Sequence, residues 1–312
     1  MTERHKALLA IIACVLFWGF SFISIKVVVS VFPPMTLGAL RFALAMAFLL
    51  FIKRRSLPKE KLKLRDFPGL LGAGLIGVTL YFFCENNGVA LVSASEASII
   101  VSTIPVLTMA AEWLGEKFSR SRRRPGGDPA APGPGRITGR RWLGALISMA
   151  GVILVARVSF SISGNILGYL YMAGAALSWV AYCFLTRPLF ARCSRTHIVF
   201  WQSAFGFIGF LPFAVLEFPR WGRPDPSLLI HLAFLGICCS ALGYGYYARS
   251  LEILGVSVSS IFINFIPVVT VIAGFFFLGD RLTPAQWIGA ALVLSGIYLA
   301  MVERAPKRDT IK

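Results

Sequence analysis

Five ionisable residues stand inside otherwise apolar stretches in the first half of this chain: Lys26, Arg41, Glu85, Glu96 and Glu112. A charged side chain costs about 2.5–3.5 kcal/mol at the centre of a membrane-spanning helix, so it faces protein or water and marks a pathway, a proton relay or an ion pair. Lys26 ends the first apolar stretch and Arg41 lies about two turns into the second. Glu85, followed by Asn86 and Asn87, is near the end of the third, and Glu96 opens the fourth. Two cations and two carboxylates at similar depth predict an ion-paired cluster that opens and re-forms, with Glu85 taking a proton when its pair opens. Two structural readings compete. Ser93-Ala-Ser-Glu96 fits a capping box, in which Glu96 satisfies a helix N-terminus, and Lys26 can snorkel to the interface. The second half carries a sparser counterpart: Arg187 in the place of Lys26, with Arg249 and Glu252 near the end of the eighth stretch.

The uncharged candidates are prolines, an amide and aromatics. Pro105 and Pro267 occupy matching places in the fourth and ninth stretches, where a missing backbone donor kinks a helix and frees carbonyls to line a cavity. Asn264, three residues before Pro267, is placed to bond a substrate or a neighbouring helix. Trp18, Trp179, Tyr244, Tyr246 and Tyr247 suit an amphipathic pocket, or packing and interface anchoring. No cofactor is expected. Gly72-Ala-Gly74-Leu-Ile-Gly77 has the lettering of a dinucleotide fingerprint but lies within an apolar helix with no preceding strand, so close helix packing explains it. No Walker A sequence is present. No metal site is expected either, because Cys14, Cys84, Cys183, Cys193, Cys238 and Cys239 lack ligand spacing. His5, His197 and His231 are scattered, which also leaves a membrane-embedded enzyme without a catalytic constellation.

These residues need a membrane frame. The chain of 312 residues is 57% hydrophobic and 14% charged, against about 25% charged for a soluble protein. Ten continuously apolar segments can be read, at roughly 7–28, 35–52, 67–88, 96–114, 140–157, 165–185, 197–217, 228–249, 257–278 and 284–302. Each approaches the roughly 20 residues that span a bilayer as a helix. The first exceeds a signal peptide's apolar region of about 7–15 residues and lacks a cleavage site. The net charge of +17 is concentrated after segment 2, between segments 4 and 5, after segment 6 and at the C-terminus. Alternate loops hold only Lys26, Arg157, Arg220, Arg223 and Arg281. That asymmetry predicts an inner-membrane protein with both termini cytoplasmic, touching anionic lipid and not nucleic acid.

The chain also repeats itself. Trp142-Leu-Gly-Ala-Leu matches Trp287-Ile-Gly-Ala-Ala, Leu114-Gly115-Glu116-Lys117 matches Leu278-Gly279-Asp280-Arg281, and Ile104-Pro105-Val106-Leu107-Thr108 matches Ile266-Pro267-Val268-Val269-Thr270. Trp18 and Lys26 correspond to Trp179 and Arg187 at the same spacing. The predicted fold is an all-α integral membrane protein, ten transmembrane helices as two inverted five-helix repeats over 1–157 and 165–303, with a tail at 304–312. An odd number of helices per repeat reverses the second copy, the arrangement on which alternating access is built. A basic, Pro- and Gly-rich loop over about 119–138 has no counterpart in the second half and reads as a disordered cytoplasmic insertion.

Phe17-Trp18-Gly19-Phe20-Ser21-Phe22-Ile23-Ser24-Ile25-Lys26 and Pro33-Pro34-Met-Thr-Leu-Gly-Ala-Leu-Arg41-Phe42 resemble the opening of EamA-type members of the drug/metabolite transporter superfamily. The Pro-Val, Leu-Gly-Glu/Asp and Trp-x-Gly-Ala segments extend the resemblance to the tenth segment. It implies a secondary transporter, often an exporter of amino acids or related metabolites, with a central cavity between the halves and a proton or counter-substrate as coupling partner. Nucleotide-sugar or drug-like substrates, and a non-transporting sensor, are the alternatives within the fold. Monomer and homodimer both remain open, since a duplicated chain can enclose a two-fold cavity alone. One departure is that Pro105 to Gly115 is shorter by two residues than Pro267 to Gly279, which predicts a shortened fourth helix. Deleting residues 120–136 is expected to leave transport intact; lost transport with normal membrane insertion would show that the insertion has a function.

Overall fold

In lipid, backbone N–H and C=O groups find no water, so an apolar run satisfies them internally as a helix. The computed structural model describes residues 1–56, 60–92, 94–121, 138–156, 165–278 and 281–302, and among these it is all-helical, without strand. Among the described residues nine helices are long and apolar enough to cross a membrane: α1 (Glu3–Val29), α2 (Pro34–Ile52), α3 (Phe67–Leu91), α4 (Glu96–Gly115), α6 (Ile166–Ala191), α7 (Arg195–Arg220), α8 (Leu228–Leu254), α9 (Val256–Phe276) and α10 (Pro284–Met301). Between α4 and α6 lies α5 (Gly139–Val155), shorter at 17 residues. Leu167, Leu177, Ile208, Leu229, Phe276 and Ile288, from five helices, point outward, as a lipid-facing surface requires. The chain is a multi-pass membrane protein.

Polar residues punctuate the helices. The Thr2 side chain accepts from the His5 backbone N–H to open α1, and Ser194 does the same for His197 at the start of α7. Thr283 and Gln286 form a capping box ahead of α10. Gly255, at φ 84°, turns the chain between α8 and α9 in a conformation that disfavours any side chain.

Four spanning helices are irregular, in matching pairs. Wide π-type turns occupy Leu75–Leu80 of α3 and Phe234–Gly243 of α8. The α4 span is divided between Ala94–Ser102 and Ile104–Ser121. The α9 span runs as Val256–Ile261, a tight 3₁₀ turn over Phe262–Phe265, then Ile266–Leu278. Pro105 and Pro267 each sit at the second residue of the second piece, where a missing N–H costs no helical bond. The expected shortening of the fourth helix is not found. Its second piece continues to Ser121, because Lys117-Phe-Ser-Arg-Ser contains no breaker and the helix extends past the point where the repeats diverge. The 122–137 part of the insertion, Ser93 of the proposed capping box, Gly279-Asp280 and the tail 304–312 lie outside the described residues.

The most extensive helix packing joins α5 to α10, α2 to α7, α3 to α6 and α1 to α8. The α5–α10 seam is built from glycine. A Cβ on Gly144 would lie 2.5 Å from the Gly296 carbonyl oxygen, and one on Gly151 2.6 Å from that of Gly289. The contact advances along α5 as it retreats along α10, so the two helices are antiparallel. Small residues let the backbones approach, which is how helices gain van der Waals contact where lipid removes the hydrophobic drive. Gly144→Ala or Gly296→Ala therefore forces the helices apart, and the apparent melting temperature in detergent is expected to fall by the equivalent of about 1–3 kcal/mol. Gly139→Ala, where an added Cβ meets nothing within 4 Å, is expected to leave it unchanged.

Candidate functional site

Aromatic side chains from α1, α3, α6 and α8 converge. Trp18 and Trp179 meet edge to face with ring centroids 5.4 Å apart, and Tyr244 and Tyr247 lie 5.6 and 5.5 Å from Trp18. Tyr81 and Tyr182 close on Trp179 at 5.1 and 5.3 Å. Several polar tips are hydrogen-bonded. Trp18 Nε1 donates to the Cys239 carbonyl at 3.1 Å, within the wide turns of α8, whose geometry releases carbonyls from the ordinary helical pattern. Trp179 Nε1 donates to the Tyr247 hydroxyl at 3.1 Å, and the Tyr182 hydroxyl donates to Gln202 Oε1 at 3.2 Å. Gly74 and Gly77, of the segment with dinucleotide-like lettering, are close-packing positions: a Cβ there would strike the Gln202 backbone oxygen and the Tyr182 ring. Tyr246 stands aside, stacked on Phe17 at 6.2 Å.

Arg41 reaches this cluster from α2. It is 4% exposed, its Nε donates to Ser240 Oγ at 2.8 Å, and its guanidinium carbon lies 4.9 Å from the Phe82 ring centroid. Glu85 accepts from the Tyr81 hydroxyl one turn earlier at 2.8 Å and lies within electrostatic reach of Arg41. Asn86 is half-buried beside it. Glu96 accepts from the Tyr169 hydroxyl of α6. Lys26 is exposed in the last turn of α1. The expected four-member ion-paired cluster is not seen: among the described residues Arg41 bonds Ser240 and Glu85 bonds Tyr81, with no ion pair joining the two. A tyrosine hydroxyl serves each carboxylate instead. Similar depth along separate helices does not place side chains on the same interhelical seam.

The ion pairs lie at the opposite ends of the helices, on the face that carries the N-terminus, which the sequence marks as the sparser cluster. Glu112, 4% exposed in α4, receives Arg187 Nη1 at 3.1 Å and the Ser257 hydroxyl of α9. Arg195 pairs with Glu252 at 2.6 Å, and Arg249 with Glu3 at 2.7 Å. Arg187 thus has its partner in the other half of the chain. Glu112 is visible in the sequence as an intramembrane carboxylate, but nothing there points to Arg187, 75 positions away. Beside this group Thr108 and Ser260 share a hydrogen bond of 2.7 Å, tying the two interrupted helices together.

Several buried groups hold polar atoms without a hydrogen-bond partner, among them the Tyr244 hydroxyl, Gln202 Nε2 and both amide atoms of Asn264. Asn264 is 1% exposed, in the 3₁₀ turn ahead of Pro267. Buried polar atoms are nearly always bonded, and leaving one unmade costs about 1–3 kcal/mol. The sequence singles out Asn264 and Tyr244; it carries no signal for Gln202, which sits in an apolar helix far from any motif. Breaking the Glu112 site offers a direct measurement. Arg187→Gln is expected to lower thermal stability by about 1.5–3 kcal/mol, the value of a hydrogen bond to a charged group, and adding Glu112→Gln is expected to restore part of it, because the second change removes the stranded buried charge.

Comparison with known proteins assigns the family. Residues 5–122 and 166–302 match the EamA-like transporter family. An uncharacterized transporter of Archaeoglobus fulgidus is 28% identical over 93% of this chain and 96% of its own length. A probable amino-acid metabolite efflux pump of Escherichia coli is 26% identical over 95% of each. A probable terminal-alkyne amino-acid exporter of Streptantibioticus cattleyicolor is 24% identical over 95% and 94%. A protein of known crystal structure superimposes with a TM-score of 0.74 at 19% identity, covering 95% of this chain and 96% of that one, and so shares the fold. With a family match over most of its length and a frame of membrane-spanning helices, the chain belongs to the EamA-like transporter family.

Proposed function

We propose that this transporter exports amino acids or closely related zwitterionic metabolites across the inner membrane, by alternating access between two inverted five-helix repeats, residues 1–157 and 165–303, with α5 as the tenth spanning helix. The observation that carries the substrate class is Arg41. It is buried, and among the described residues its one hydrogen-bond partner is the neutral Ser240 hydroxyl at 2.8 Å, bonded to Nε. The two NH₂ groups remain for a planar, doubly accepting anion such as a carboxylate. Glu85 is the complementary anion for a substrate ammonium or a coupling proton, and Trp18, Trp179 and Tyr244 supply apolar faces for the side chain. The names of the relatives in Escherichia coli and Streptantibioticus cattleyicolor point to the same class.

The antiparallel α5–α10 seam supports the inverted repeat. The sequence match equates Gly144 with Gly289 and Gly151 with Gly296, and the contacts pair them crosswise, as a two-fold axis in the membrane plane requires. The crossed packing of α1 with α8 and α3 with α6 follows the same operator. Both termini are assigned to the cytoplasm from the excess of Lys and Arg in their loops. In this scheme Glu112, Arg187 and Ser257 form the inner gate. Lys26, Asn86 and Glu96 lie toward the outer side, and Pro105, Asn264 and Pro267 mark where α4 and α9 bend as access changes. Sealed proteoliposomes preloaded with amino-acid mixtures test the proposal by counterflow of labelled amino acids. Arg41→Gln is expected to reduce flux about 10–100-fold, from the loss of about 1.5–3 kcal/mol of charge-assisted bonding, and Glu85→Gln to flatten its pH dependence. Undiminished flux in well-folded Arg41→Gln would remove Arg41 from the site.

A further inference from the structure

Away from the aromatic cluster, three metal-ligating side chains of different type meet on the face that carries the N-terminus. We propose that Glu60, Cys193 and His197 form a binding site for a borderline-soft divalent cation of the zinc class. Their donor atoms all lie within 4.8 Å of one another. His197 is 2% exposed, with Nδ1 3.8 Å from Glu60 Oε2. Cys193 is half-buried with a free thiol. Asp66, 2% exposed, lies against the Cys193 thiol and is itself held by Arg192 at 3.1 Å and Arg65 at 3.7 Å.

The local structure positions the donors. Cys193 and His197 are four residues apart across the start of α7, one before the capping residue and one in the first turn. Ser194 bonds both ways: its hydroxyl accepts from the His197 N–H at 3.3 Å and donates to Glu60 Oε2 at 2.6 Å, and its own N–H donates to Glu60 at 3.2 Å. A carboxylate at a helix N-terminus accounts for Glu60 alone. It does not call for a buried imidazole and a thiol beside it. Thiolate, imidazole and carboxylate together suit Zn²⁺ or Co²⁺ and not Mg²⁺ or Ca²⁺, which take oxygen ligands. Zinc bonds of about 2.0–2.3 Å place tetrahedral ligand atoms about 3.3–3.8 Å apart, so the donors close by about 1 Å on binding. Asp66, beside the Cys193 thiol, supplies a carboxylate as the fourth ligand. Coordination joins the segment between α2 and α3 to the turn between α6 and α7, linking residues 134 positions apart in the case of Glu60 and Ser194 through a metal as well as a cap. The sequence conceals the site because Glu60 is remote from the other two.

The test uses purified full-length protein, stripped of metal and titrated with Co²⁺ and Zn²⁺. Expected are one Co²⁺ per chain with a thiolate-to-cobalt charge-transfer band, loss of that band in Cys193→Ser, and at least tenfold weaker binding in Glu60→Gln. In the unmodified chain Zn²⁺ is expected to protect Cys193 from alkylation, read by mass spectrometry, while leaving Cys238 unaffected; this measurement needs no variant to fold. Cobalt binding without a thiolate band, or Cys193 alkylation unchanged by Zn²⁺, overturns the proposal. These readouts do not depend on transport, so they stand apart from the choice of substrate.

Discussion

Lipid offers a polar group nothing to bond to, and the structure is organised by that lack. It makes the apolar runs helical and pushes polar side chains toward one another across helix seams. It also makes every departure from regular helix conspicuous. The irregular stretches of α3, α4, α8 and α9 are where backbone carbonyls escape the ordinary pattern, and these four helices carry or adjoin the unusual polar groups: the Cys239 carbonyl bonded by Trp18, Glu85, Thr108 with Ser260, and Asn264. Irregular backbone inside a membrane is tolerated where it is buried in protein, and here it is concentrated around the site.

Two kinds of contact divide the work. The glycine seam of α5 and α10 brings backbone against backbone at Gly144, Gly151, Gly289 and Gly296, which suits a rigid support. The ion pairs of Glu112 with Arg187, Arg195 with Glu252 and Arg249 with Glu3 lie at helix ends on one face. The partly exposed Arg195–Glu252 and Arg249–Glu3 pairs contribute little to stability, whereas Arg187 on the buried Glu112 contributes more; each ties helices from distant parts of the chain. The aromatic cluster lies between: its rings pack tightly, while a hydroxyl and two amide side chains among the buried residues keep unmatched polar atoms.

The family match covers most of the chain, and relatives 24–28% identical align over nearly all of it; together they carry fold and transport. Among the described residues Arg41 has the neutral Ser240 hydroxyl as its hydrogen-bond partner and aromatic neighbours, and the proposal for the cargo rests on it. The Glu60, Cys193 and His197 cluster belongs to a separate layer, at the rim and not along the path that the aromatic residues define.

Much of the frame was legible in the sequence. Continuous apolar runs locate the spanning helices because lipid leaves no alternative conformation, and internal repetition exposes the pairing of Trp18 with Trp179 and of Pro105 with Pro267. Local signals such as the Thr283–Gln286 cap are equally readable, because they act within one turn. The sequence could not decide which side chains meet. It placed Lys26, Arg41, Glu85 and Glu96 at one depth, and the fold gave the two carboxylates to Tyr81 and Tyr169. It showed Glu112 without its partner, and Cys193 and His197 without Glu60. Depth along a helix follows from counting residues, whereas the seam a side chain faces depends on helix rotation and crossing. Those are set by packing, above all by the close approach that Gly144, Gly151, Gly289 and Gly296 allow, and so belong to the tertiary structure alone.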